Sequence, residues 1–188
     1  MKRILFLLFI AFALVPMALS AQSSTALQSA TKNFYEAMYN IDIDAISNML
    51  CHDKTDVYER VDNAFQNDDF KYRFVFTNAK FDYSAIKNIN AKSYAVVNFR
   101  NTVRVTSYKP LTSSQIAETQ KRLKEKFGAK SILYEKNRNS FFIVYQAKLI
   151  AEAETGKSWK FIIYDNTLPK EISESCLSNS LKKELQLN

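Results

Sequence analysis

The chain has 188 residues, 47% of them apolar, with two glycines, three prolines and a formal charge of +7. That length reads as one domain able to bury a sizeable core without metals or many disulfides. So little glycine and proline excludes linkers, collagen-like repeats and low-complexity segments.

Met1-Lys2-Arg3, an apolar run from Ile4 to Val15 and the small-residue segment Ala18-Leu19-Ser20-Ala21 make an export signal, cut after Ala21 and too short to span a bilayer. Removing residues 1–21 takes Lys2 and Arg3 but no acid, which leaves 167 residues at +5, a mild bias. Gln22 follows the cut rather than a cysteine, so the first mature residue offers no lipid-anchor site, and no later stretch approaches the roughly 20 apolar residues of a membrane helix. The expected product is a soluble single domain over 22–188, periplasmic or secreted.

From near Ser24, Ala30, Phe34, Ala37, Met38 and Ile41 recur at helical steps, and this face predicts a first helix. Asp42 or Asp44 can cap a second helix carrying Ala45, Ile46, Met49 and Leu50. Asp56 with Glu59 fits a capping pattern for a third, whose face is Val57, Tyr58, Val61, Ala64 and Phe65. At Lys71 the period drops to two, with Tyr72, Phe74 and Phe76 alternating against Lys71, Arg73 and Val75. The longest strand runs from about Ala91 to Tyr108. It places Ala95, Val97, Phe99, Val103 and Val105 on one face and Asn98, Arg100, Thr102, Arg104 and Thr106 on the other, the pattern of an antiparallel sheet with one wetter face.

Thr112 with Gln115 predicts an inserted helix through Ile116, Leu123 and Phe127, ended by Gly128. Strands follow at Ser131–Glu135, Phe141–Ala153 and Lys157–Asp165, for a sheet of about five strands in all. Pro169 opens a last helix with Ile172, Cys176, Leu177, Leu181 and Leu185 at core-facing steps. Cys51 and Cys176, both on apolar helical faces in an oxidising compartment, are expected to pair.

Three helices before a long antiparallel sheet, opened by Phe34-Tyr35-Glu36-Ala37-Met38-Tyr39-Asn40-Ile41-Asp42-Ile43-Asp44-Ala45-Ile46, resemble the NTF2-like superfamily of cystatin-like α+β folds. The late strand Trp159-Lys160-Phe161 is similar to the final strand of its exported bacterial members of unknown function. The resemblance spans Ser24 to Asp165. Departures are the helix at 112–128, the tail helix, and Ile41-Asp42 where the family often has Gly-Asp. The resemblance implies a sheet curled around the helices into a cone-shaped pocket. In some members that pocket is an active site, as in ketosteroid isomerase or polyketide cyclase. In others it only binds a ligand or partner, and dimers through the sheet are common. No residue of this chain matches an enzymatic motif of the family, so no catalytic role transfers.

Phe34, Tyr35, Tyr39, Tyr145 and Trp159 are the candidate pocket residues, apolar bodies with polar handles, set against the plainer reading that they are core. His52, the only histidine, reads as a helix-end residue facing the helix dipole rather than a base. One histidine and two pairing cysteines do not make a zinc site, and no cofactor motif is present. Asp42, Asp44, Asp68 and Asp69 read as caps and turns. The basic run Lys121–Lys126 carries Glu125 within it and Glu118 four residues before Arg122, and so reads as a solvated face, with an anionic envelope surface as its alternative partner. Nucleic acid is not an expected partner outside the cell. The leading expectation is a non-enzymatic domain that binds a small apolar ligand or a protein. Its rivals are an isomerase-like or cyclase-like enzyme and an envelope-maintenance or inhibitor protein acting through the sheet face.

Overall fold

A computed structural model describes residues 24–187 except 54, 166 and 173; the expected export signal lies outside the described residues. Helix α1 runs through 24–40 and buries Leu27, Thr31, Phe34, Tyr35 and Met38 along one stripe, as their three- and four-residue spacing requires. It stops at Ile41, whose φ of 57° is left-handed. The Asp42 carboxylate then accepts the Ala45 N–H at 2.9 Å and caps α2 (Ile43–Met49). A β-branched residue in this conformation costs about 1–2 kcal/mol, and this is the very turn where the sequence departs from Gly-Asp. Asp56 is the N-cap of α3 (Val57–Phe65), but without the expected capping bond: its backbone (φ −98°, ψ 19°) is not extended, and its carboxylate takes the Arg60 Nε–H at 2.8 Å instead.

Among the described residues, seven strands form one open antiparallel sheet: β1 (Phe70–Phe74), β2 (Phe81–Tyr83), β3 (Lys87–Ile89), β4 (Lys92–Ser107), β5 (Ile132–Glu135), β6 (Ser140–Glu154) and β7 (Lys160–Ile163). Five were expected; β2 and β3 have three residues each, too few to display an alternation. Strands β4 and β6 pair from Lys92↔Glu154 to Thr106↔Ser140. The free edge of β4 is shared by β1, β2 and β3, and that of β6 by β5 and β7.

The inward row of β4 is Ala95, Val97, Phe99, Val103 and Val105, facing Ala151, Leu149, Ala147, Ile143 and Phe141 of β6, and all are buried. Helices α1 to α3 close this face, with Phe34 stacked on Phe161 at 4.7 Å. Helix α4 (Ser113–Phe127) has the full Thr112/Gln115 capping box, adds Leu123 and Phe127 to the same core, and ends on left-handed Gly128 (φ 58°).

The tail is not the single helix that its spacing suggested. It makes two 3-10 turns, Lys170–Ile172 and Glu174–Cys176, before α5 (Asn179–Glu184), which Ser178 caps. Leu168 and Ile172 belong to the inner core, whereas Leu177, Leu181 and Leu185 pack with Tyr94, Ile150 and Ile162 on the opposite face of the sheet. One straight helix has no way to serve both faces, so the chain breaks where it crosses. Cys176 lies in that crossing and is bridged to Cys51, with Cα atoms 6.3 Å apart. On the other side, the Cys51 N–H donates to the Phe161 carbonyl at 2.8 Å and Leu50 makes a parallel bridge to Phe161, so the disulfide spans the β7 edge.

Two outcomes follow from these constraints. Cys51→Ser/Cys176→Ser loses stability by up to about 4–5 kcal/mol, the chain-entropy value for a separation of 125 residues, in urea unfolding; a loss under about 1 kcal/mol contradicts it. In Ile41→Gly, relief of about 1–2 kcal/mol of strain opposes the lost half-buried side chain and the freer unfolded chain. Its net change therefore stays within about 1 kcal/mol, whereas Ile46→Ala in the fully buried core costs about 2–5 kcal/mol.

Candidate functional site

One groove opens between α1 and the start of β2, with a volume of about 570 Å³, inside the roughly 300–1,000 Å³ typical of ligand sites. Residues at helical spacing on α1, Gln28, Lys32, Tyr35, Glu36 and Tyr39, make one wall. The loop Thr77-Asn78-Ala79 and the alternate residues Phe81 and Tyr83 make the other. The wall positions are fixed by Tyr35, whose ring meets Phe74, Phe81 and Phe99 at 5.3, 5.6 and 5.7 Å and whose hydroxyl donates to the Phe76 carbonyl at 3.0 Å. Burial, and then the neighbouring Tyr39, push the Tyr35 phenol up to about 12, so it remains a neutral donor. The floor is thus aromatic. Its rim carries Lys32 and Glu36, both exposed and neither in an ion pair among the described residues.

A second polar cluster lies inside the core. The Tyr145 hydroxyl stands 3.2 Å from that of Tyr72 and 2.9 Å from Thr167 Oγ1, and it accepts the Asn101 side-chain amide at 3.1 Å. The Thr167 N–H donates to Asp165 Oδ1 at 2.8 Å. Phe127 of α4 covers the cluster, 4.9 Å from the Tyr145 ring and 6.1 Å from that of Tyr72. Burial raises the Tyr72 phenol first of all, with Tyr145 adding to it; burial and then the Asp165 charge raise Tyr145. The Asp165 carboxyl is itself raised by burial, against the hydrogen bonds of Thr167 and the ammonium of Lys126, which hold it down. Every hydroxyl here is turned to another protein group.

Of the residues expected to line a pocket, Tyr35 and Tyr39 meet at the groove, Tyr145 anchors the buried cluster, and Phe34 and Trp159 are core. They do not form one site. His52 lies just past the Leu50 end of α2 and is half-buried. Phe81 and Tyr83 sit on a strand too short to be legible in the sequence, and Asn101, Asp165 and Thr167 likewise lie outside the residues expected to form a site. For Asn101 a signal existed: it is the one polar residue in the inward row between Phe99 and Val103. Asp165-x-Thr167 carries the two-residue spacing of an Asx turn.

Among the described residues, no group of three His, Cys, Asp or Glu side chains is placed to hold a metal ion, and no helix is long and apolar enough to cross a membrane. No protein-family model matches the chain, and no curated protein matches it in sequence.

The raised Asp165 carboxyl sets a pH dependence. Its contribution favours the fold when protonated, in full below the ordinary 3.8, and is lost as pH rises through the higher folded value. Asp165→Asn keeps an oxygen for the Thr167 N–H and removes the charge. Thermal unfolding is expected to show it more stable than the native chain at pH 7, with the gap closing as the pH falls toward 3.8.

Proposed function

We propose that this chain is an exported NTF2-like α+β domain that acts by binding, not catalysis, and that the groove between α1 and β2 takes a small, largely apolar, ring-bearing ligand. The observation that carries this is the groove itself: an aromatic floor of Tyr35, Tyr39, Phe81 and Tyr83 beneath a rim of one cation and one anion, Lys32 and Glu36. Flat apolar groups gain most from such a floor, and the rim orients a polar substituent. Export is supported by the Cys51–Cys176 bridge, which suits an oxidising compartment. The superfamily reading is supported by three helices packed on the inner face of a long antiparallel sheet. For the rival enzymatic reading, the acid and hydroxyls at hand are Asp165 and Tyr145, and these are spent on one another's neighbours rather than offered to a ligand.

The test uses 8-anilinonaphthalene-1-sulfonate, whose rings and sulfonate match the floor and Lys32. Saturable binding with a fluorescence rise is expected. Tyr39→Ala weakens it about tenfold, the factor for roughly 1.4 kcal/mol of lost aromatic contact. Binding that is absent, or that Tyr39→Ala and Tyr83→Ala leave unchanged, rejects the groove as the site.

A further inference from the structure

The sheet face opposite the helices is covered by the tail only at the end where Tyr94, Ile150 and Ile162 meet Leu177, Leu181 and Leu185. Toward the other end its outward row is cationic. Register places Lys71 beside Thr106, Arg73 directly beside Arg104, Arg100 beside Gln146 and Lys148 beside Asn98. Arg104 is neutralised by Glu135, at 2.7 and 3.3 Å. Lys71, Arg73, Arg100 and Lys148 form no ion pair among the described residues. Arg73 is held by neutral groups, the Tyr72 carbonyl at 2.7 Å and Gln66 Oε1 at 3.1 Å, and Lys148 lies 5.5 Å from the Tyr164 ring centroid. Asp82 of β2 also lies in this region, opposite Asn98. Two arginines side by side on neighbouring strands repel, and nothing in the fold requires that pairing.

The four unpaired cations follow a line. From the Thr106 rung to the Asn98 rung is eight residues, about 26 Å at roughly 3.3 Å per residue. Along them stand Thr106, Asn98 and Gln146, a hydroxyl and two amides that donate to and accept from alcohols. Arg100 and Lys148 stand on the interior strands β4 and β6, which offer no open strand edge for a peptide backbone to join, and Lys71 and Arg73 stand on β1 at the end of the sheet, where Lys71 bridges to Gln66.

We propose that this stripe is a second binding site, separate from the groove, for a linear acidic polysaccharide. Its carboxylates or sulfates meet Lys71, Arg73, Arg100 and Lys148, and its hydroxyls meet the polar rungs between them. A polyanion of this kind supplies the countercharge that the face lacks, over the length the cations cover.

Alginate, a polyuronate, is the probe, titrated calorimetrically into the purified protein at 20 and 200 mM salt with neutral dextran as control. Binding that weakens at the higher salt is expected, as for exposed charges under screening. Arg73→Gln/Arg100→Gln is expected to weaken it at least tenfold. Because Arg73 also braces the Gln66 turn, Arg100→Gln/Lys148→Gln provides a variant free of that contact and is expected to lose as much. Lys121→Gln/Lys124→Gln removes the same charge from α4 and leaves binding unchanged. The inference is overturned if alginate does not bind at 20 mM salt, or if the α4 variant loses as much as the stripe variants. It is equally overturned if poly-L-glutamate, or vesicles of phosphatidylcholine and phosphatidylglycerol at 3:1, bind the stripe more tightly than alginate. None of these outcomes bears on the groove.

Discussion

Fifteen consecutive residue pairs join β4 to β6, and because every other strand attaches to one of these two, the register of this single ladder determines which side chains reach the core and which face outward. A slip by one residue would carry Val97, Phe99, Val103 and Val105 to the outer face and bring Arg100 and Arg104 into the core. Burying two guanidinium groups without partners is prohibitive. The alternation of apolar and charged residues along β4 therefore does more than shape a strand. It locks the pairing of the sheet and, through it, the floor of the groove and the stripe on the opposite face.

The inner face is filled mostly by rings, and its two polar features differ in kind. At the α1–β2 end the aromatic packing stops short of the surface, because the three-residue β2 leaves the Thr77–Ala79 loop to face α1, and a groove remains. At the α4 end, Phe127 caps the Tyr72, Tyr145 and Asn101 cluster, whose groups satisfy one another. The first arrangement is open to a ligand. The second fixes the position of the chain after β7, through Thr167 and Asp165, and so guides the tail toward the sheet edge.

That edge is where the tail changes sides. Leu168 and Ile172 end on the helical face, Leu177 begins on the other, and the Cys51–Cys176 bridge holds the crossing against the end of α2. The six-residue α5 is too short to be stable by itself, so its place on Tyr94, Ile150 and Ile162 depends on that anchor. The tail thereby covers one end of the outer face with apolar contacts and leaves the cationic end open.

Where the period of the sequence was long and regular, the sequence by itself determined the element. The stripe of α1, an aspartate cap for α2 at Asp42 or Asp44, the capping box at Thr112 and Gln115, the faces of β4 and the cysteine pairing follow from local spacing and chemistry, each of which acts within a few residues or, for the cysteines, with no competing partner. Only the tertiary structure decided the rest. Strands β2 and β3 are held by their pairing with β4 rather than by any pattern of their own. Ile41 occupies a left-handed turn because α1 and α2 both pack on the core, and their packing outweighs its local preference. The tail breaks into turns because its leucines serve two faces, and the five aromatic candidates scatter among groove, buried cluster and core because spacing along a chain says which residues share a face but not what stands opposite them.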